Sequence, residues 1–413
     1  MKTGKRNMNV GNARLTDIFS KNKSVIIRAP LLSVSGYGVH SRQIYKWLEN
    51  RNDMDIIAQV VQWGNTSWMI NNEMENGLVG RIVQNSRDLN GQADISIQVQ
   101  LPDEWDSNLA KVNIGVSAVV ETDCCNPLWI DAMDKMDAVI VPSEHIKKTI
   151  LNTRNSHGLD TTKTRIFVIP EWYHEEIDHE SYEHLGIKFD TDFNFLLVSQ
   201  FTGHDPYNDR KNIFNTIKWF CEAFTGDQDV GLVIKTNHGR GTTIDRQITK
   251  NKLRQLISDV RVGDFPKIHL IHGNLTASEI AGLYNHPQVK CFLSLTRGEG
   301  FGLPILEASA CALPVITTNW SAQLDFLGLG KFIPISYNLI DIPESKVDDR
   351  IFISGMKWAD PVEEDFKKKV TKFRKKSTIP LQWAKDLSQK IRENFCSTAI
   401  MSIYDDMISE LTE

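Results

Sequence analysis

The residue types best suited to chemistry lie in one stretch, Arg297-Gly-Glu-Gly-Phe-Gly-Leu-Pro-Ile-Leu-Glu307. It follows the apolar run Val289–Leu295, and Pro304 suits the first turn of a helix. A strand, a Gly-rich turn and a helix start make an anion site. Unpaired N–H groups and the positive end of the helix dipole face the same point. Gly300 and Gly302 let backbone come close to a ligand. Glu299 lies in the turn, and Glu307 lies inside the helix. A carboxylate only accepts hydrogen bonds, so each suits the vicinal hydroxyls of a ribose or a hexose. A phosphate at the helix start with a carboxylate on each side fits a nucleotide sugar. Acids that merely complement a helix dipole would account for a lone Glu. They account less well for two Glu framing a Gly-x-Gly turn.

The elements that must position these residues are legible as alternation. Short β-branched runs alternate with amphipathic stretches from residue 24 to about 343. The predicted strands are 24–29, 56–62, 93–100, 112–120, 138–141, 165–169, 194–198, 230–235, 267–271, 289–295 and 314–318. Their nearly continuous apolar character predicts parallel sheets covered on both faces. This is doubly wound α/β architecture, which binds ligands at the carboxyl edge of the strands. The segment Trp172–Asp192 is rich in His, Glu and Asp and breaks the pattern. It predicts an N-terminal domain over 1–178 and a second Rossmann-like domain over 179–390. A terminal helix over 391–413 crosses back to the first domain. After 343 the pattern reads as helical, over 361–376, 380–395 and 396–411.

The chain has 413 residues and a net charge of −5. About two domains of ordinary size fit that length. The charge provides no whole-chain basic field for nucleic acid. No apolar run approaches the ~18 residues of a membrane span. The N-terminal 23 residues lack the apolar core of a signal peptide. Six cysteines without metal-ligand spacing point to reduced thiols and a cytoplasmic setting. The Lys- and Arg-rich segment 366–376 reads as a solvated helix face, or as a contact for an anionic surface.

With these residues in view, the sequence resembles a known family. Glu299 and Glu307 form the E-x7-E signature of retaining glycosyltransferases with the GT-B fold, family 4 type, also called glycosyl transferases group 1. The run Ala308-Ser-Ala-Cys-Ala-Leu-Pro-Val-Ile-Thr-Thr-Asn-Trp-Ser321 resembles the family, as does Val119-Val-Glu-Thr-Asp123 with Met136-Asp-Ala-Val-Ile-Val-Pro-Ser-Glu144. So do Arg210-Lys-Asn212 and Leu232-Val-Ile-Lys-Thr-Asn237, and Trp358-Ala-Asp-Pro361 looks like the family's run into its terminal helices. The resemblance implies two Rossmann-like domains facing across a cleft, with C-terminal helices packing back toward the N-terminal domain. It also implies transfer of a sugar, a hexose above all, from a nucleotide-diphosphate sugar with retention.

The resemblance implies roles by position. Glu299 contacts the donor sugar and Glu307 the ribose. Gly300, Phe301, Gly302 and Leu303 line the sugar and diphosphate with backbone N–H groups. Lys211, just inside a helix, binds the donor phosphates. Many relatives carry an Arg near Ser199-Gln200-Phe201, where this chain has none, and Arg210 is the cation left to replace it. Gly36 and Gly38 belong to a loop facing the diphosphate. Glu121 and Asp123 are acid candidates near the reacting carbon. Glu171 is a weaker hinge-lining one, and His40 is a packing or catalytic group. The triplets Asp53-x-Asp55, Asp190-x-Asp192 and Asp227-x-Asp229 precede strands, at the edge away from the ligand, and read as turns rather than metal sites. No metal and no bound cofactor are expected. The acceptor is a glycan, lipid, protein or small molecule. The rival readings are a non-catalytic nucleotide-sugar-binding protein and a GT-B epimerase or phosphorylase.

Overall fold

The computed structural model describes residues 22–412 except 90, 179, 180 and 238. The N-terminal 21 residues, part of the segment judged for a signal peptide, and the predicted boundary at 178/179 thus fall wholly or partly outside the described residues.

The first half alternates as β1 (Lys23–Ala29), α1 (Gly36–Glu49), β2 (Met54–Val60), α2 (Leu78–Gln84), β3 (Ala93–Val99), β4 (Ala110–Val116), α3 (Pro127–Met133), β5 (Ala138–Val141), α4 (Glu144–Ser156) and β6 (Ile166–Val168). Its strands pair in parallel in the order β2-β1-β3-β4-β5-β6. The second half runs β7 (Phe193–Val198), α5 (Ile213–Ala223), β8 (Val230–Thr236), α6 (Thr243–Val260), β9 (Lys267–His272), α7 (Ala277–Tyr284), β10 (Val289–Ser294), α8 (Leu303–Ala310), β11 (Val315–Thr318), α9 (Gln323–Leu327) and β12 (Ile333–Ile335). Its parallel order is β12-β11-β10-β7-β8-β9. Each sheet reverses its strand order once, between β1 and β3 and between β7 and β10. A crevice opens at such a point beyond the carboxyl ends of the strands.

Local sequence explains many of the boundaries. Ser35, Asn126 and Ser143 cap α1, α3 and α4 by accepting from backbone N–H groups. Thr242 with Asp245 and Thr276 with Glu279 form capping boxes on α6 and α7. Gly38 is fixed by close packing. A Cβ there would lie 2.0 Å from the Ser33 carbonyl oxygen. Gly38→Ala is therefore expected to destabilise the fold by about 1–3 kcal/mol, as overpacking does. A urea denaturation midpoint unchanged from wild type would show that the loop yields freely.

Ahead of the helices expected over 361–376, 380–395 and 396–411, the chain adds an element that the sequence did not predict. β13 (Tyr337–Asp341) and β14 (Lys357–Pro361) form an antiparallel hairpin, and the segment between them is a strap. Its Ile342, Met356 and Trp358 are buried with Val119, Trp129, Ile130 and Met133 of the N-terminal domain. Arg350 adds bridges to Asp103 and Glu104, both 2.7 Å. The alternation Tyr-Asn-Leu-Ile-Asp is a half-exposed ribbon, unlike the buried strands that the apolar runs revealed.

Three helices follow: α10 (Glu363–Lys375), α11 (Thr378–Asn394) and α12 (Ser397–Thr412). α11 stays on the second domain, where Ser388 Oγ donates to the Ala310 carbonyl at 2.6 Å. α12 returns to the first domain. Tyr404 stacks on Trp47 at 4.8 Å, and Trp47 Nε1 donates to Asp405 at 2.9 Å. No helix among the described residues is long and apolar enough to cross a membrane.

Candidate active site

The loops leaving β7 and β10 flank the crevice of the second sheet. Asp209, fully buried, organises the first loop. One of its oxygens accepts from Thr202 N at 2.9 Å and Thr202 Oγ1 at 2.7 Å, and the other from Ile213 N at 2.7 Å. Asn212 takes a left-handed φ of 55° and ends the turn. Lys211 therefore stands in the turn before α5, not inside the helix as its position suggested. Its Nζ reaches Glu299 Oε1 at 2.7 Å and Oε2 at 2.5 Å. Arg210 donates to the Gly298 carbonyl and lies 3.8 Å from Glu299 Oε2. Its other nitrogen lies 3.0 Å from Glu121 Oε1. One carboxylate from each domain thus meets a pair of cations. Burial would push the Glu299 carboxyl up, but Lys211 and Arg210 outweigh it and hold the group below the usual carboxylate range.

The Gly-rich turn serves a purpose the sequence did not reveal. A Cβ on Gly298 would lie 2.3 Å from the Glu121 carbonyl oxygen, and one on Gly300 would lie 2.8 Å from the Ala118 Cβ. These glycines let the two domains touch at the cleft floor. Gly302, at φ 99°, starts α8. The ring of Phe301 is buried against Phe326, with centroids 5.5 Å apart, so only its backbone is free for a ligand.

Glu307 is buried in α8, and Tyr284 donates to it at 3.1 Å. Burial raises its carboxyl to about 7. Glu171 sits close by. Its carboxyl is pushed to about 8, first by burial and then by the charge of Glu307. Its Oε2 has no hydrogen-bond partner.

Other predicted positions lie elsewhere. Asp123 is used structurally, because its Oδ1 accepts from Lys357 N at 2.7 Å and its N–H donates to the Lys357 carbonyl at 3.0 Å. That pairing ties it to the strap rather than to a reacting carbon. His40 is buried and meets Tyr404 OH at 3.2 Å. Burial lowers it to about 4, so it is a neutral packing residue on α1. Gly36 opens α1 beside the loop of residues 30–35. Asp53 pairs with Arg51, Asp55 with Arg87, and Asp227 and Asp229 approach Arg374. No group of three His, Cys, Asp or Glu that could hold a metal ion occurs among the described residues. On α10, Lys367 and Lys369 are paired with acids.

Several contacts were invisible in the sequence. Tyr284 on Glu307 is one. Ser321 is another: its Oγ accepts from Glu299 N at 3.0 Å and donates to Gln323 at 2.7 Å. Ser143 of the first domain donates to the Gly300 carbonyl at 2.9 Å. The Ser321 position lies inside the family-like run, which was the only signal available for it.

Comparison with known proteins agrees with this geometry. Residues 241–339 match the family described as glycosyl transferases group 1. No curated protein matches the chain. Among solved structures, it is similar to sucrose-phosphate synthase from Thermosynechococcus elongatus, at 11% identity and TM-score 0.61, covering 94% of this chain and 99% of that one. It is likewise similar to HepE from Anabaena, solved with UDP and glucose, at 11% identity and TM-score 0.56 with the same coverage. The pneumococcal O-GlcNAc transferase GtfA, solved with UDP and GlcNAc, is 16% identical with TM-score 0.48; 77% of this chain is covered, and the chain spans 57% of that protein's length. At these identities the likeness is one of fold, and the fold is GT-B. The family match over residues 241–339 is likewise to glycosyltransferases.

Proposed function

We propose that the protein is a metal-independent, retaining glycosyltransferase of the family 4 type that uses a nucleotide-diphosphate sugar. The observation that carries this reading is the cluster of Lys211, Arg210 and Glu299 at the β7/β10 crevice, beside the N-terminus of α8. Domain limits of 1–178 and 179–390, with 391–413 returning to the first, belong to the same reading. The donor occupies the second domain and the acceptor the first. Glu299 takes sugar hydroxyls, Glu307 the ribose, and Lys211 with Arg210 the diphosphate. Gly300 to Leu303 supply backbone N–H groups, and the start of α1 at Gly36 and Gly38, which the structure makes helical and not a loop, faces the phosphates.

Negative charge grows on the diphosphate as its bond to the sugar breaks. Two fixed cations and a helix N-terminus stabilise that charge without a metal. Glu121 sits on Arg210, and in this reading it is the first-domain carboxylate next to the leaving group. Same-face substitution fits this arrangement. The acceptor oxygen bonds to the anomeric carbon, the carbon–oxygen bond to phosphate breaks, and the phosphate oxygen takes the acceptor proton. Protein groups then contribute positioning and electrostatics.

The test is a thermal-shift screen of the full chain against UDP-, GDP-, ADP- and dTDP-sugars. A true donor at 100 times its dissociation constant stabilises by about 2.7 kcal/mol. A chain that responds to none of the four, in binding or hydrolysis, sinks the proposal. Activity is expected to survive saturating EDTA, and loss restored by Mn²⁺ or Mg²⁺ would overturn metal independence. Glu307→Ala is expected to weaken the bare nucleoside diphosphate as much as the sugar nucleotide. The loss corresponds to a charged hydrogen bond, ~1.5–3 kcal/mol. Unchanged diphosphate affinity would remove Glu307 from the ribose.

A further inference from the structure

A cavity of about 400 Å³ lies outside the Lys211–Glu299 cluster, between the loop after β7, α6 and the strap. Its wall combines Phe201, Ile248 and Thr249 with two ammonium groups, Lys252 and Lys346. Lys252 Nζ sits 4.3 Å from the Phe201 ring centroid and 3.3 Å from the Gly203 carbonyl oxygen. Lys346 Nζ donates to the Thr202 carbonyl at 2.9 Å. Neither ammonium forms an ion pair among the described residues, although both are partly buried.

The acids nearby are already committed to backbone. Asp205 accepts from Tyr207 N at 2.8 Å and Asn208 N at 3.0 Å. Asp209 holds Thr202 and Ile213, and Asp348 takes the amides of Arg350, Ile351 and Phe352. No carboxylate lines the cavity among the described residues, and its hydroxyls already donate elsewhere, Thr249 to the Asp245 carbonyl and Ser345 to Asn208 Oδ1, both at 3.0 Å. Those three acids act by their charge on Lys252 and Lys346 from outside the cavity, but none pairs with either ammonium directly, so both lose free energy to burial that an anion in the cavity would return.

We propose that this cavity binds the phosphoryl group of a small phosphorylated ligand, at a site separate from that of the donor diphosphate. A tetrahedral dianion matches two ammonium groups held by neighbouring carbonyls, those of Thr202 and Gly203, and charge-assisted bonds of this kind are the strong ones. The apolar wall of Phe201 and Ile248 suits the carbon skeleton that carries the phosphate. The strap supplies Lys346 only because it is anchored on the N-terminal domain, so the site exists where the two domains are joined. Thr202 links it to the reaction centre, since its carbonyl holds Lys346 and its Oγ1 accepts from Lys211 N at 3.2 Å.

The experiment is calorimetric titration of the full chain with inorganic phosphate and, separately, with glucose 6-phosphate. It reads binding alone and stands whether or not the donor reading holds. Saturable binding is expected, weakened tenfold or more by Lys252→Met and by Lys346→Met, and unaffected by Lys211→Met. Tighter binding of the ester identifies a phosphorylated sugar as the occupant, and equal binding identifies the free ion. Ile248→Glu changes an exposed rim residue without touching the fold's core and is expected to abolish binding by repulsion. Absence of saturable binding overturns the proposal. So does binding that Lys211→Met removes while the other three variants retain it.

Discussion

Turnover by a Lys211→Ala protein is expected to fall about 10²–10³-fold, the scale of losing one donor to a developing oxyanion. Donor affinity should fall less, because the charge that Lys211 meets is greatest in the transition state. The structure adds a second effect that must be separated from the first. Lys211 grips both oxygens of Glu299, which is only 7% exposed. Its removal leaves that carboxylate with Arg210 at 3.8 Å, and an undercompensated buried charge costs on the order of 3 kcal/mol. The double variant Lys211→Ala with Glu299→Gln removes the orphaned charge and should recover stability but not turnover. Glu299→Gln alone should disturb sugar positioning while bare diphosphate affinity stays near normal. Steady-state transfer, urea denaturation and calorimetric diphosphate binding on all three proteins distinguish these effects. Normal turnover in Lys211→Ala would shift the leaving-group role to Arg210.

The contact between Lys211 and Glu299 also shows where sequence reading stops. Each residue stood out locally, one beside a helix start and the other in a Gly-rich turn after a buried strand. That they meet follows from β7 and β10 being neighbours, which is a property of sheet order and not of either segment. The long parallel strands were legible because burial on both faces leaves a continuous apolar run. β12 is three residues with Pro334 at its centre, on a sheet edge, and has no such signature. The strap was hidden for the opposite reason. Its few core residues, Ile342, Met356 and Trp358, are scattered through polar chain and find their partners only in the other domain.

The strap changes what the cleft can do. Asp123, Asn126, Asp103 and Glu104 of the first domain all engage it. Gly298 and Gly300 press on Glu121 and Ala118, and Ser143 bonds Gly300. A carboxylate, a backbone turn and an apolar core therefore join the domains at separate points around the same reaction centre. Glu121 reaches Arg210 because of that join. The charge balance around Arg210 and Lys211 thus depends on residues outside their own loop.

Stability is expected to fall as pH rises from about 5 to about 8, and Glu171→Gln is expected to flatten that fall. Burial holds Glu171 near 8 and Glu307 near 7, both above the value of 4.5 that a free Glu shows. The folded state therefore keeps protons that the unfolded state has already released. Stabilisation from each group is complete below the unfolded pKa and is lost as pH rises through the folded one. A tenfold difference in proton affinity is worth about 1.4 kcal/mol, so the two groups together represent on the order of 8 kcal/mol across this window. The glutamine amide carries no proton to lose, and Glu307, which ionises first while Glu171 is still neutral, keeps its carboxyl near 7 in the variant. At pH 5 the variant and wild type should denature at similar urea concentrations, whereas at pH 9 the variant should be the more stable. The nucleotide should report Glu307 alone. An ionised Glu307 accepts from both ribose hydroxyls, so nucleoside diphosphate affinity should rise as pH passes about 7 in both proteins. Parallel denaturation profiles, or a binding rise that moves to lower pH in Glu171→Gln, would overturn this order of ionisation.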